Sequence, residues 1–148
     1  MKEAELKTFV EGVLRYFGTI TSTPAKVGIP YVKAADHKVE EITGIIGLTG
    51  KKKGGIFITC PKPMIEEIVK EYLGLAEPTL AAVKDLAGEM ANTVAGNASF
   101  AFGNDFQISV PVVIVGKPEQ LDLPTRVPTF IIPIEWKTYK AFLAVGIE

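Results

Sequence analysis

The chain has 148 residues, of which 47% are hydrophobic and 22% are charged. These values predict one globular domain, spanning residues 1–148, that is long enough to bury a hydrophobic core. A net charge of −1 offers no basic excess for nucleic acid. No apolar run approaches the roughly 20 residues of a membrane span. We therefore expect a protein that binds neither nucleic acid nor a membrane.

The chain has one cysteine, Cys60, and one histidine, His37. It can form neither a disulfide framework nor a zinc site from these residues. The N-terminal segment does not have the pattern of a signal peptide, so a reducing cytoplasm is the expected location. The mean hydropathy of +0.26 suggests apolar surface that a second copy covers, which predicts a homodimer.

The first half of the chain reads as one helix followed by three strands. Residues 2–17 carry apolar residues at helical spacing, and Gly18 is expected to end this helix. The next segments, 26–35, 39–49 and 54–60, are rich in β-branched residues and are predicted strands. The glycine- and lysine-rich connection Leu48–Ile56 predicts a hairpin, because its spacing does not match a Walker phosphate loop.

The second half reads as two helices followed by three strands. A helix is expected over 63–74 with Gly74 at its end, and a long helix over 79–101 with Thr79 as its N-cap. The tract 99–103 ends the long helix, and Asn104-Asp105 is a predicted turn. Strands are expected over 106–115, 126–135 and 140–147, bulged or at an edge where Pro111, Pro128 and Pro133 interrupt them.

This order of elements favours an α+β fold rather than a doubly wound sheet, in which strands and helices would alternate. We expect two layers, with three helices on a six-stranded, largely antiparallel sheet.

The long central helix carries the most informative pattern, DLAGEMANTVAG. Asp85, Glu89, Asn92 and Gly96 are spaced so that they share one face of the helix, whereas the apolar residues lie on the other. Gly88 and Gly96 cost about 0.5–1 kcal/mol each in a helix, relative to alanine. Close approach by a partner would explain glycine at these two positions.

The residues themselves give little support for catalysis by this chain alone. His37 lies in an Asp-His-Lys turn and is expected to be solvated, and Cys60 ends a predicted strand as a small core residue. Asp85 and Glu89 alone are ordinary surface charges. Asn92 changes this interpretation, because an amide can hold a water molecule through one donor and one acceptor. Phosphoryl hydrolysis depends more on positioning than on base strength, so such an amide can suffice.

The pattern Asp85-x3-Glu89-x2-Asn92-x3-Gly96 resembles the (Asp/Ser)-x3-Glu-x2-Asn signature of the CheC/CheX/FliY family of chemotaxis phosphatases. The order of elements also resembles that family's fold. A single motif in a chain of this length is similar to CheX, whereas CheC carries two. Residues 65–73 contain Glu66 and Glu67, but no asparagine follows either at the required spacing.

The resemblance implies a phosphatase that dephosphorylates the aspartyl phosphate of a CheY-like receiver. By this resemblance, Asn92 orients the attacking water and Glu89 pairs with the receiver's active-site lysine. Asp85 makes a supporting contact, and Gly88 and Gly96 leave room for the partner. By the same resemblance, the Mg²⁺ that screens the phosphoryl charge belongs to the receiver, and this chain needs no metal or cofactor of its own. CheX relatives dimerise through their sheets, so the apolar strands after residue 106 are the expected contact.

Two other readings use the same helix. In one, the helix face docks on a receiver or a flagellar-switch protein without hydrolysing anything. In the other, the chain is a structural dimer whose small-residue stripe packs on its own sheet. The structural-dimer interpretation requires Glu89 and Asn92 to be buried.

Overall fold

The computed structural model describes residues 1–103 and 106–148, so the predicted Asn104-Asp105 turn lies outside the described residues. The described residues form three helices: α1 (Glu3–Ile20), α2 (Lys62–Leu73) and α3 (Leu80–Ala101). The prediction that Gly18 ends α1 is wrong, because the helix continues to Ile20. It ends where the Thr21 backbone N–H and hydroxyl donate to the Phe17 carbonyl oxygen, at 3.0 and 2.8 Å.

The ends of the other two helices agree with the sequence. Gly74 ends α2 in the left-handed conformation, with φ of 66°, which glycine adopts without steric cost. The Thr79 hydroxyl oxygen begins α3 by accepting a hydrogen bond from the Ala82 N–H at 3.1 Å. This bond satisfies one of the free N–H groups of the first turn, so the start of α3 is fixed at the predicted residue.

The strands form one sheet in which every pairing is antiparallel. The order across the sheet is β1-β7-β8-β4-β3-β5, with β2 also on β7 and β6 also on β3. The strands are β1 (Lys26–Val27), β2 (Tyr31–Val32), β3 (Ile42–Gly50), β4 (Gly54–Cys60), β5 (Phe106–Ile108), β6 (Val112–Val115), β7 (Phe130–Trp136) and β8 (Tyr139–Ile147).

The predicted α+β class, three helices and antiparallel sheet are confirmed. The described part of the chain has eight strands rather than the expected six, because two predicted strands are each divided. Residues 106–115 break around Pro111, which has no N–H to donate to β3. Residues 26–35 break around Gly28, whose N–H donates to the Pro133 carbonyl oxygen at 2.9 Å.

The hairpin predicted between the second and third strands joins β3 to β4, with Leu48 paired to Gly54. Gly54 has φ of 150°, and a Cβ at this residue would lie 1.8 Å from the Gly146 carbonyl oxygen of β8. Only glycine fits this turn, so its function is the close packing of three strands.

The main hydrophobic core lies between the helices and one face of the sheet. Trp136 of β7, Phe17 of α1 and Met64 of α2 are all completely buried in it. A smaller cluster lies on the opposite face, where Leu123 packs against Phe57 and Ile131. The sheet therefore supports α3 from one side only, which leaves the far side of that helix to the surface.

Within the described residues, no helix is long and apolar enough to cross a membrane. The apolar segment after residue 106 forms β5 and β6 along the outer side of β3. Val110, Val112 and Val115 are exposed there. The homodimer stays a prediction, and this edge is where its contact is expected.

Candidate functional site

The candidate site lies on the outer face of α3. The inner face is fully packed, and its buried residues are Val83, Leu86, Ala87, Met90, Ala91, Val94, Ala95 and Ala98. Asp85, Glu89 and Asn92 are all exposed on the opposite side. A helix held along its whole length by the core presents these side chains from a rigid backbone.

The three polar side chains of this face have no partner among the residues that the structure describes. Neither Asp85, Glu89 nor Asn92 makes a side-chain hydrogen bond or an ion pair with any residue of 1–103 or 106–148. Both carboxylates and the amide are therefore available to an incoming molecule. This exposure contradicts the reading in which Glu89 and Asn92 pack on the chain's own sheet.

The two glycines of the pattern have different surroundings. Gly96 is half-buried, and the nearest atom to a Cβ built there is Ile108 Cδ1, at 4.0 Å. Gly88 is buried, and a Cβ built there would lie 3.4 Å from Val113 Cγ2 and 3.6 Å from Pro111 Cγ. A methyl group would fit at Gly96, and the use of this space by a partner stays a prediction. At Gly88 the chain's own residues, before and within β6, occupy the space.

α3 also packs against α1. A Cβ at Gly12 would lie 3.5 Å from the Val94 carbonyl oxygen, so this glycine allows the two helices to approach closely. One turn further along α1, the Tyr16 hydroxyl is buried without a hydrogen-bond partner among the described residues. Burial raises its pKa, and the Glu89 carboxylate adds to the effect. The Tyr16 hydroxyl therefore stays protonated.

One exposed residue of this face is not identified by the sequence pattern. Phe100 lies in the last two turns of α3 and is 89% exposed. The sequence places it in a tract that ends the helix, where an apolar side chain would be expected to pack. Helical spacing places Phe100 on the same face as Glu89, but an apolar residue beside the end of a helix gives no sign by itself that it stays uncovered.

The other candidate reactive groups lie away from α3's outer face. His37 is not simply solvated as predicted, because its Nε2 lies 2.6 Å from the Tyr31 hydroxyl oxygen and its ring packs edge-on against Phe142. Cys60 is buried as expected, and burial raises the pKa of its thiol to about 12. The described residues contain no group of three His, Cys, Asp or Glu side chains that could hold a metal ion.

The fold and the site together define a class of protein. This is an α+β protein in which a long helix, supported by an antiparallel sheet, presents an acid and an amide to solvent. Residues 42–135 match the sequence model of the family described as chemotaxis phosphatase CheX, and the chain belongs to that family. The matched region includes Asp85, Glu89, Asn92 and Gly96. The family inferred from their spacing is confirmed.

Solved structures agree with this assignment. A CheC-like superfamily protein from Shewanella sp. PV-4 is 26% identical, with a TM-score of 0.89 over 100% of this chain and 99% of its own. The chemotaxis protein CheX from Desulfovibrio desulfuricans is 27% identical, with a TM-score of 0.88 over 98% and 99% of the two chains. No curated protein matches the chain significantly.

A more distant structure shares only the fold. It is the CheX–CheY–BeF₃–Mg²⁺ complex from Borrelia burgdorferi, which is 16% identical, with a TM-score of 0.79 over 97% of both chains.

Proposed function

We propose that this protein hydrolyses the aspartyl phosphate of a CheY-like receiver, with Glu89 binding the receiver and Asn92 orienting the attacking water. The observation that carries the proposal is that both side chains are exposed on α3 and free of partners among the described residues. Membership of the chemotaxis phosphatase family supports the reaction class. The Borrelia CheX–CheY complex supports a receiver as the partner of this fold.

Glu89 is suited to anchoring the partner. Its carboxylate accepts no hydrogen bond within the described chain, so all of its acceptor sites are open to a cationic group of the receiver. A lysine ammonium placed there would form a charge-assisted hydrogen bond, which is roughly twice as strong as a neutral one. Contact with the receiver would also exclude water, which strengthens the interaction further.

Asn92 follows Glu89 by three residues, a rise of about 4.5 Å along the helix. Its amide offers two donor hydrogens and an acceptor oxygen, and can hold a water molecule in a fixed direction. The phosphoryl transition state is loose, so catalysis requires a water in line with the breaking bond more than it requires a strong base. An asparagine can therefore perform this step without a neighbouring histidine or carboxylate.

The remaining parts of the site have supporting roles in the proposal. Asp85 precedes Glu89 by one turn and adds a second negative charge towards the receiver. Gly96 gives the receiver's loops room beyond Asn92. The Mg²⁺ that neutralises the phosphoryl oxygens is assigned to the receiver, together with the phosphorylated aspartate.

The alternative is a docking module that binds a receiver or a flagellar-switch protein through the same face without catalysis. Glu89 would have the same role in both cases. Asn92 distinguishes them, because docking alone requires no group that orients water.

The test is the Asn92→Ala variant in a phosphate-release assay with a panel of phosphorylated receivers. For a receiver that the wild-type protein dephosphorylates, we expect the accelerated rate to fall by at least about a hundredfold. Lys84→Gln is the control and should keep the wild-type rate. Lys84 is exposed on α3 but does not belong to the row formed by Asp85, Glu89, Asn92 and Gly96. Circular dichroism should be the same for all three proteins.

Three outcomes separate the two functions. Loss of hydrolysis with unchanged receiver binding in Asn92→Ala supports the phosphatase. Wild-type protein that binds receivers without accelerating phosphate release supports the docking module. Full hydrolytic activity in Asn92→Ala contradicts the proposed role of the amide.

A further inference from the structure

The C-terminal end of α3 carries two phenylalanines in contrasting environments. Phe102 packs against Phe9 and Phe106, with ring centroids 6.2 and 5.2 Å away. Phe100, only two residues earlier, is 89% exposed. A single exposed apolar side chain is ordinary on a protein surface, but Phe is among the aromatic residues that are enriched at protein interfaces.

Phe100 lies on the same side of α3 as Glu89, the residue proposed to anchor the receiver. It follows Glu89 by 11 residues, which is three turns plus about 20° of rotation. The two side chains therefore project in nearly the same direction, about 16 Å apart along the axis. A partner that covers Glu89 and extends along the helix reaches Phe100.

A groove runs beside Phe100, between α3 and α1, with a volume of about 160 Å³. Gly12 lines it, and a Cβ there would lie 3.7 Å from Asn97 Cβ. Arg15 and Glu11 of α1 also line it. An apolar ring next to a small groove with both charges resembles the arrangement at binding hot spots, where an apolar anchor has a polar rim.

We propose that Phe100 and this groove form a second contact for the receiver, which binds an apolar surface away from the phosphorylated aspartate. The inference rests on the proposed function and extends it: Glu89 and Asn92 reach the phosphorylation site, and Phe100 supplies affinity. Because Phe100 lies about 12 Å beyond Asn92 along the helix, it contributes to binding and not to the chemical step.

The charge of the helix favours a receiver over a second copy of this chain as the occupant. Asp85 and Glu89 are the acidic residues of α3, and both are exposed on its outer face. A symmetric dimer that covers the whole outer face, with its two-fold axis near Glu89, would bring the carboxylates of two copies together, which is unfavourable. A receiver that presents a cation to Glu89 has the complementary charge.

The experiment compares Phe100→Ala with Ile29→Ala, in which an equally exposed (88%) apolar side chain is removed from the loop between β1 and β2. The dissociation constant is measured for CheY-type receivers activated with beryllofluoride and Mg²⁺, and kcat and KM are measured with the phosphorylated receivers. Phe100→Ala should raise Kd and KM at least about tenfold and leave kcat unchanged. Phe100→Leu should recover part of the affinity, and Ile29→Ala should match the wild type.

The outcomes separate this inference from the proposed function. If Phe100→Ala binds receivers as tightly as the wild type while Asn92→Ala is inactive, only the second contact is contradicted. A fall in kcat at unchanged KM also contradicts it. If Phe100→Ala changes the mass of the free protein measured by light scattering, the occupant is a second copy and the inference is overturned. Wild-type protein that binds no activated receiver contradicts both proposals.

Discussion

Gly44 of β3 lies directly beneath Ala87 of α3: a Cβ at residue 44 would come within 2.7 Å of the Ala87 carbonyl oxygen. It would also lie 3.0 Å from Ala91 Cβ. The small residues on the inner side of α3 therefore bring the helix backbone close to the sheet. This contact sets the distance between α3 and the sheet. It therefore also fixes the position of the exposed side chains on the outer face of the helix.

The contact predicts that Gly44→Ala is destabilising. The helix backbone must move away from the sheet to accommodate the methyl group, and overpacking of this kind costs about 1–3 kcal/mol. Urea denaturation measures the change in the free energy of unfolding. Gly47→Ala on the same strand is the control, because its Cβ would lie 3.5 Å from Ser109 Oγ, an ordinary contact. Equal stability of the two variants would mean that β3 and α3 adjust without cost.

Gly96→Ala should separate stability from receiver binding. The site has room for a methyl group, with the nearest atom at 4.0 Å, so the change should stabilise the helix by about 0.5–1 kcal/mol. If the receiver approaches the helix at Gly96, the methyl group will also raise the Kd for activated receivers. Thermal denaturation and titration calorimetry measure the two effects. A more stable variant with unchanged affinity would show that Gly96 provides no clearance.

Glu89→Ala should weaken receiver binding more than Asp85→Ala. Removal of Glu89 leaves the receiver's cation unpaired in a dehydrated interface, which costs about 2 kcal/mol or more, or roughly thirtyfold in Kd. Removal of Asp85 takes away only a supporting charge. Affinities measured over a series of salt concentrations should also show a weaker salt dependence for Glu89→Ala. A larger effect at Asp85 would reverse the proposed order of the two residues.

Local pattern in the sequence was sufficient to place α3 and its exposed stripe. The apolar residues repeat at helical spacing, and Thr79 marks the start of the helix. The same pattern could not distinguish Gly88 from Gly96. Gly88 lies at the boundary between the two helix faces, and it is buried only because Val113 arrives from a strand that is distant in sequence. Long-range packing of this kind leaves no periodic signal.

The divided strands and the surroundings of His37 also could not be predicted from sequence periodicity. Pro111 predicted an interruption, but only the pairing of β5 and β6 along one side of β3 shows that it makes two strands. His37 looked solvated because its neighbours in sequence are polar. In the fold it lies against Phe142 of β8 and next to Tyr31. Both features depend on which strands become neighbours, and sequence spacing does not determine this.

Glu71 should give the stability a dependence on pH in the acid range. The Ser22 hydroxyl donates to the Glu71 carboxylate and lowers its pKa below 4.5, and the Ser22 backbone N–H and Lys137 add to the effect. Because the pKa is lower in the folded protein, the ionised carboxylate stabilises the fold above pH 4.5, and this contribution is lost as the pH falls through the folded pKa.

We therefore expect Glu71→Gln to be about 0.5 kcal/mol less stable than the wild type at neutral pH, a value typical of surface interactions. The difference should shrink as the pH is lowered below 4.5, because protonation removes the same charge from the wild type. Urea denaturation of both proteins between neutral and acid pH measures the difference. Glu77→Gln, at an exposed position without a hydrogen-bond partner in the described chain, should show no such dependence. A constant difference between Glu71→Gln and wild type at every pH would contradict the role of the charge.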